Sequence, residues 1–164
     1  MTVVLGKVQA ALDALGLQYR VMDCDPALAD TAQFCEAYNF RLDQSANAII
    51  VASKGGEPKF CCCVVLATTK LDVNNVVRKL MSVRKASFAT AEQTRELTGM
   101  EIGGVTPIGL PEDLPIYVDA AVMEQAEVVI GGGNRSSKII INPQEFKKIP
   151  GVIIVDQLAK PKEG

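Results

Sequence analysis

Val4, Leu5, Val8, Ala11, Leu12 and Leu15 recur at helical spacing and predict an opening helix, with Thr2 placed to cap its start and Gly16 to stop it. Residues 17–22 alternate as a strand, and Asp30 or Thr31 can cap a short helix running to Tyr38. Two apolar runs, 48–52 and 60–67, flank Lys54-Gly55-Gly56-Glu57-Pro58 and predict a hairpin with a polar turn. Asp72 can cap a helix whose apolar face is Val73, Val76, Val77 and Leu80, leaving Asn75, Arg78 and Lys79 outside. Thr90 and Gln93 match a capping box for a further helix that Gly99 can close. Short strands are predicted over 85–89, 105–108, 116–122, 127–130, 139–141 and 152–155, and Asn142-Pro143 can open a last helical turn through Lys148.

The strands are too many, and the helices too irregularly placed, for a strict βαβ repeat. The expected class is therefore α+β, a single compact domain with a mixed, partly closed sheet flanked by helices. The domain is assigned to residues 1–158, with 159–164 as a polar C-terminal tail.

At 164 residues the chain can bury a proper core. Its apolar residues are dispersed among charges, no run reaches membrane-spanning length, and no basic region precedes a long apolar stretch at the amino terminus. These features predict a cytoplasmic protein with no membrane partner. There are no histidines, which removes serine–histidine and cysteine–histidine catalysis and histidine metal ligation in one step. The five cysteines include the run Cys61-Cys62-Cys63 between Phe60 and Val64, a context that suits small apolar residues in a buried strand better than spaced zinc ligands. No metal and no cofactor are expected. A formal net charge of -2 argues against indiscriminate nucleic-acid binding and leaves room for a local basic face.

Two segments concentrate backbone-permissive residues. Gly103-Gly104-Val105-Thr106-Pro107-Ile108-Gly109 combines three glycines with a proline that fixes its own φ and pushes Thr106 toward extended geometry. Such a loop can present main-chain groups and the Thr106 hydroxyl to a small polar ligand, or can be only a turn. Gly131-Gly132-Gly133-Asn134-Arg135 can supply an opposite wall, with Arg135 either held near an anionic or carbonyl group or exposed on a hairpin. Asp119, inside an apolar strand, either points to solvent or anchors a neighbouring loop. Lys70, Arg78, Lys79, Arg84 and Lys85 stand against the single acid Asp72 and make either a phosphate-contacting face or a solvated one.

Taken together, Lys70-Leu71-Asp72, Thr90-Ala91-Glu92-Gln93, Leu97-Thr98-Gly99, Gly103 to Gly109, Tyr117-Val118-Asp119 and Gly131 to Arg135 resemble the YbaK and prolyl-tRNA-synthetase-associated editing domain family, over nearly the whole chain. The resemblance implies a compact α+β domain that hydrolyses the ester linking a wrong amino acid to tRNA, with a mischarged aminoacyl-tRNA as substrate and a synthetase as candidate partner. It assigns catalysis to main-chain groups of Gly103 and Gly104. Asn47, Thr106, Pro107, Gly131, Gly132 and Arg135 are implied at the substrate, and Lys70, Arg78, Lys79, Arg84 and Lys85 at the tRNA. Fixed backbone donors near a developing oxyanion supply a physical basis for chemistry without histidine. Two positions depart from the family pattern. Asn47 stands where many members carry a lysine, and Gly131 where some have a serine. The alternative is a non-hydrolytic tRNA- or aminoacyl-binding module that has lost hydrolysis with that lysine.

Overall fold

The computed structural model describes residues 3–162. The opening helix α1, Gly6–Leu15, buries Val8 and Leu12 and ends where Gly16 turns left-handed at φ 64. The cap expected from Thr2 lies outside the described residues. Leu5 occupies the N-cap, with no side-chain bond to the helix. Its N–H instead donates to the Gly132 carbonyl at 3.0 Å, which pins the helix start to the second glycine segment.

Strand β1 (Arg20–Asp23) is followed by helix α2 (Thr31–Tyr38), and the predicted hairpin is β2 (Ala46–Ser53) with β3 (Phe60–Leu66). The short β4 (Thr69–Leu71) leads into a π-helical turn, Val73–Val77, that continues as α3, Arg78–Leu80. Asp72 caps this turn by accepting from the Asn75 N–H at 3.1 Å. Next come β5 (Ala86–Phe88) and α4 (Ala91–Thr98). The Thr90–Gln93 capping box closes both ways, at 2.9 and 3.0 Å, and Gly99 ends α4 at φ 69. After a long loop come β6 (Ile116–Asp119), α5 (Ala120–Met123), β7 (Val128–Gly131), β8 (Ser137–Ile141), a 3-10 helix (Pro143–Lys148), β9 (Val152–Val155) and β10 (Ala159–Pro161).

Three expectations are corrected. Residues 105–108 form no strand, because the glycines and Pro107 around them bend the chain into successive turns. The strand predicted over 116–122 stops at Asp119, beyond which α5 begins. Asp119 is 2% exposed and anchors neighbouring backbone rather than facing solvent. Burial raises its carboxyl pKa, while the N–H groups of Leu158, Ala121, Ala120 and Ala159 pull the other way. Finally, residues 159–161 are not tail but β10, paired antiparallel with β4, with Ala159 buried.

The main sheet is mixed, as expected. A five-stranded sheet has the order β5-β2-β3-β6-β9, in which β3–β6 and β6–β9 are parallel and the other pairs antiparallel. A three-stranded antiparallel sheet, β1-β8-β7, meets it through a bridge between Ser45 and Val129, so the two sheets partly close around a common interior. Strand β3 is buried on both faces. Cys62, Val64 and Leu66 face the main core with Leu12, Ile108 and Phe146, while Cys61, Cys63 and Val65 face a second core under Tyr117 and Leu158. The cysteine run is thus explained by two-sided burial, where a small apolar side chain fits either way. All five cysteines are buried and free, and no cluster among the described residues could hold a metal ion. No helix among them is long and apolar enough to cross a membrane.

Candidate functional site

The seam between the two sheets opens as a cleft of about 300 Å³. Its walls are the first half of β2, the end of β7, the start of α2 and the loop containing Gly103, with Phe88 and Ala89 at the rim.

Gly103 lines the cleft with φ +90, a left-handed conformation that an L side chain rarely adopts, and a Cβ there would lie 2.3 Å from an Arg135 guanidinium nitrogen. Among the described residues no backbone hydrogen bond engages the Gly103 N–H. Gly104 is used differently. Its N–H donates to the Glu101 carbonyl at 2.8 Å, and its carbonyl accepts from the Gly133 N–H at 2.7 Å, so it stitches the loop to the second glycine segment. Gly131 lines the opposite wall, and the reason for a glycine is close approach: a Cβ would meet the Gly104 carbonyl oxygen at 2.4 Å and that of Val105 at 2.6 Å. A serine could not enter without moving that loop.

Asn47 also lines the cleft and accepts from the Thr31 hydroxyl at 2.6 Å, which ties β2 to the first turn of α2. The remaining implied substrate residues stand behind the wall. Thr106 is fully buried, its hydroxyl without a hydrogen-bond partner among the described residues, and neither it nor Pro107 lines the cleft. The Gly132 carbonyl holds the start of α1. Arg135 is a clamp: its guanidinium donates to the Pro26 carbonyl at 3.0 Å and the Ile102 carbonyl at 2.6 Å, and pairs with Asp30 at 3.3 Å. Its Nε and Nη1 donors bond acceptors in the 26–30 segment and in the Gly103 loop, and Arg135 is not among the residues that line the cleft. Of the basic run, Lys70, Lys79, Arg84 and Lys85 are exposed, and the half-buried Arg78 donates to the Asn74 carbonyl at 2.9 Å. None of the five lines this cleft.

The residue that sequence reasoning missed is Lys138. It sits on β8, where Ile139 and Ile141 face the main core and Lys138 and Ile140 take the other face, beside Phe34. Lys138 is only 6% exposed and lines the cleft. Its Nζ donates to the Ala29 carbonyl at 2.8 Å and to the Gly103 carbonyl at 2.9 Å, and lies 5.3 Å from the Phe34 ring centroid. Burial pulls its pKa below the ordinary lysine value; Arg135 adds to that, while Cys24, Asp30 and Cys35 oppose it. An ammonium has three donors, so one remains for a ligand in the cleft. The signal was a charged residue one step ahead of Ile139-Ile140-Ile141, hidden because the strand was predicted to begin at Ile139.

The model of the family described as "Aminoacyl-tRNA editing domain" matches residues 25–149, a span that contains every cleft residue named above. The uncharacterized protein YwhH of Bacillus subtilis is 25% identical over 128 residues, 78% of this chain and 79% of that protein. The Multifunctional Ser/Thr-tRNA deacylase ProXp-y of Escherichia coli K12 is 23% identical over 142 residues, covering 85% of this chain and 84% of the relative. Among solved structures, a candidate trans-editing enzyme for prolyl tRNA synthetase superposes with a TM-score of 0.79 at 26% identity, covering 96% of both chains.

Proposed function

The chain belongs to the aminoacyl-tRNA editing domain family, and from that premise we propose that it is a free-standing deacylase that hydrolyses the ester of a mischarged tRNA. The observation that carries the reading is the convergence of Lys138 and Gly103 on one cleft, joined by a 2.9 Å hydrogen bond. Asn47 carries no charge, but the cleft still holds a buried cation, supplied from β8 rather than β2. The departure at position 47 therefore does not favour a lapsed enzyme.

In this reading the aminoacyl carbonyl lies against the Gly103 loop. Water adds to the carbonyl carbon, and the oxyanion is met by the Gly103 N–H and the third Lys138 donor. One such preorganised donor is worth roughly 3 to 4 kcal/mol of barrier. The bond from the carbonyl carbon to the ribose oxygen then breaks, the ribose oxygen takes a proton from the added water, and free amino acid and tRNA leave. The Asp30 carboxylate at the cleft edge keeps one oxygen outside its pair with Arg135 and receives the substrate α-ammonium. The backbone and Lys138 polarise an ester that is already activated, so no histidine or protein nucleophile is needed. Incubation with tRNAs charged with alanine, cysteine, serine, threonine and proline, scoring loss of the ester, tests the proposal. Acceleration on at least one supports it, and none on any refutes it.

A further inference from the structure

Next to the cleft lies a second, wider groove of about 850 Å³ that the site described above does not use. Its walls come from β4, β10, the π-helical turn and β5. Three lysines line it: Lys70 on β4, Lys160 on β10, and Lys162 just beyond β10, all exposed. Lys70 and Lys160 are register partners in the antiparallel ribbon, so two like charges sit directly opposite one another. Such a pair is unfavourable in an empty ribbon. Asp72, the one acid among the described residues that line the groove, pairs with Lys160 at 3.3 Å and is already engaged in capping the π-helical turn, so among the described residues Lys70 and Lys162 have no acidic partner there. A ligand with several negative charges would relieve this arrangement.

Phe88 joins the two openings. It lies at the end of β5, the edge strand of the five-stranded sheet, is 55% exposed, and lines both the groove and the cleft. A large aromatic left in water at the junction of a basic groove and a small polar cleft matches the pattern of a stacking surface beside a phosphate track. Duplex RNA, whose bases are already stacked, would gain nothing from it.

We infer that this groove holds the single-stranded 3′ end of the tRNA, with Lys70, Lys160 and Lys162 against its phosphates and Phe88 under a base at the entrance to the cleft. The inference rests on the deacylase reading for the identity of the RNA. It also changes the expected tRNA face: Lys70 stays in it, Arg78, Lys79, Arg84 and Lys85 do not line the groove, and Lys160 and Lys162, from a segment read as tail, enter it.

The test is anisotropy of a fluorescein-labelled short single-stranded RNA ending in CCA, titrated with wild-type protein, F88A, F88W and K70A/K162A, each checked for an unchanged melting temperature. Binding should weaken about 5- to 100-fold in F88A, the range for removing one base–aromatic stack, and persist in F88W. In K70A/K162A the slope of log affinity against log salt should fall by about 1.4, near 0.7 for each single-strand phosphate that a lysine no longer neutralises. A blunt duplex of the same length should compete poorly. Charged tRNA should show a raised KM in F88A with kcat nearly unchanged. Failure of wild-type protein to bind the RNA, or binding indifferent to F88A and K70A/K162A, would overturn the groove assignment even if the protein deacylates tRNA. Phe88-dependent binding without hydrolysis of any charged tRNA would uphold the groove and remove the deacylase reading.

Discussion

Gly103–Gly109 and Gly131–Arg135 look alike as sequence, each a glycine cluster beside apolar runs, yet the fold gives them different work. The first offers Gly103 to the cleft, with positive φ and an N–H that no backbone acceptor among the described residues takes. The second turns its back on the cleft except at Gly131. Gly132 holds α1, Gly133 donates to Gly104, and Arg135 ties the Ile102 carbonyl beside Gly103 to that of Pro26. A glycine loop alone would be free to sample many conformations. What fixes the Gly103 loop is the neighbouring segment, which holds it at its flanks, and Lys138, which holds the Gly103 carbonyl from within. Glycine content thus marks where backbone approaches backbone, and only burial and hydrogen-bond partners tell which of two such segments meets the ligand.

The comparison breaks most severely at Gly131. The G131A substitution puts a Cβ 2.4 Å from the Gly104 carbonyl oxygen, and backbone cannot swing aside as a side chain would. A loss of about 3 kcal/mol or more is expected, with the Gly103 loop displaced and activity lost; chemical denaturation alongside ester hydrolysis measures both. R135A should cost less, about 2 kcal/mol, since it removes a guanidinium 28% exposed and leaves two carbonyls and Asp30 without their donor. Its discriminating readout is kcat, expected to fall while the cleft keeps all of its lining side chains.

Lys138 sharpens the comparison through pH. Its folded pKa lies below that of the unfolded chain, so between the two values the unfolded state binds more protons and stability rises with pH. Below the folded value the cost of keeping the ammonium buried is constant. Urea midpoints taken from pH 7 to pH 10.5 should therefore show a rising component in wild type that K138M lacks. The smallest effect is expected at Thr106. Its buried hydroxyl has no partner among the described residues, so T106V should be neutral or stabilise by up to about 1 kcal/mol and leave hydrolysis unchanged. A large activity loss in T106V would return that side chain to the substrate.

Much of the fold was readable because its signals are local. Thr90, Gln93 and Gly99 bracket α4 by cap chemistry alone, Asp72 and Asn142-Pro143 open their turns, and the 54–58 turn sets the β2–β3 hairpin. The misreadings arose where a long-range partner decided the outcome. Residues 159–161 are strand because β4 pairs with them, and residues 105–108 are loop because the flanking Gly104 and Gly109 lie tight against Gly131 at the end of β7 and against α1. The site was readable only in part for the same reason. Gly103, Asn47 and Gly131 were named and lie together in the cleft, whereas Lys138 enters it by strand alternation and sheet closure, which no local motif encodes.

The central claim is that Lys138 and the Gly103 backbone together polarise an aminoacyl ester. Single-turnover hydrolysis of the mischarged-tRNA panel by wild type and K138M, at matched folded protein concentration, tests it most directly. Ester loss is expected on at least one tRNA with wild type, with a rate about 10²- to 10³-fold lower in K138M, the scale of removing one oxyanion donor. A K138M rate equal to wild type, or no hydrolysis by wild type on any charged tRNA, would contradict it.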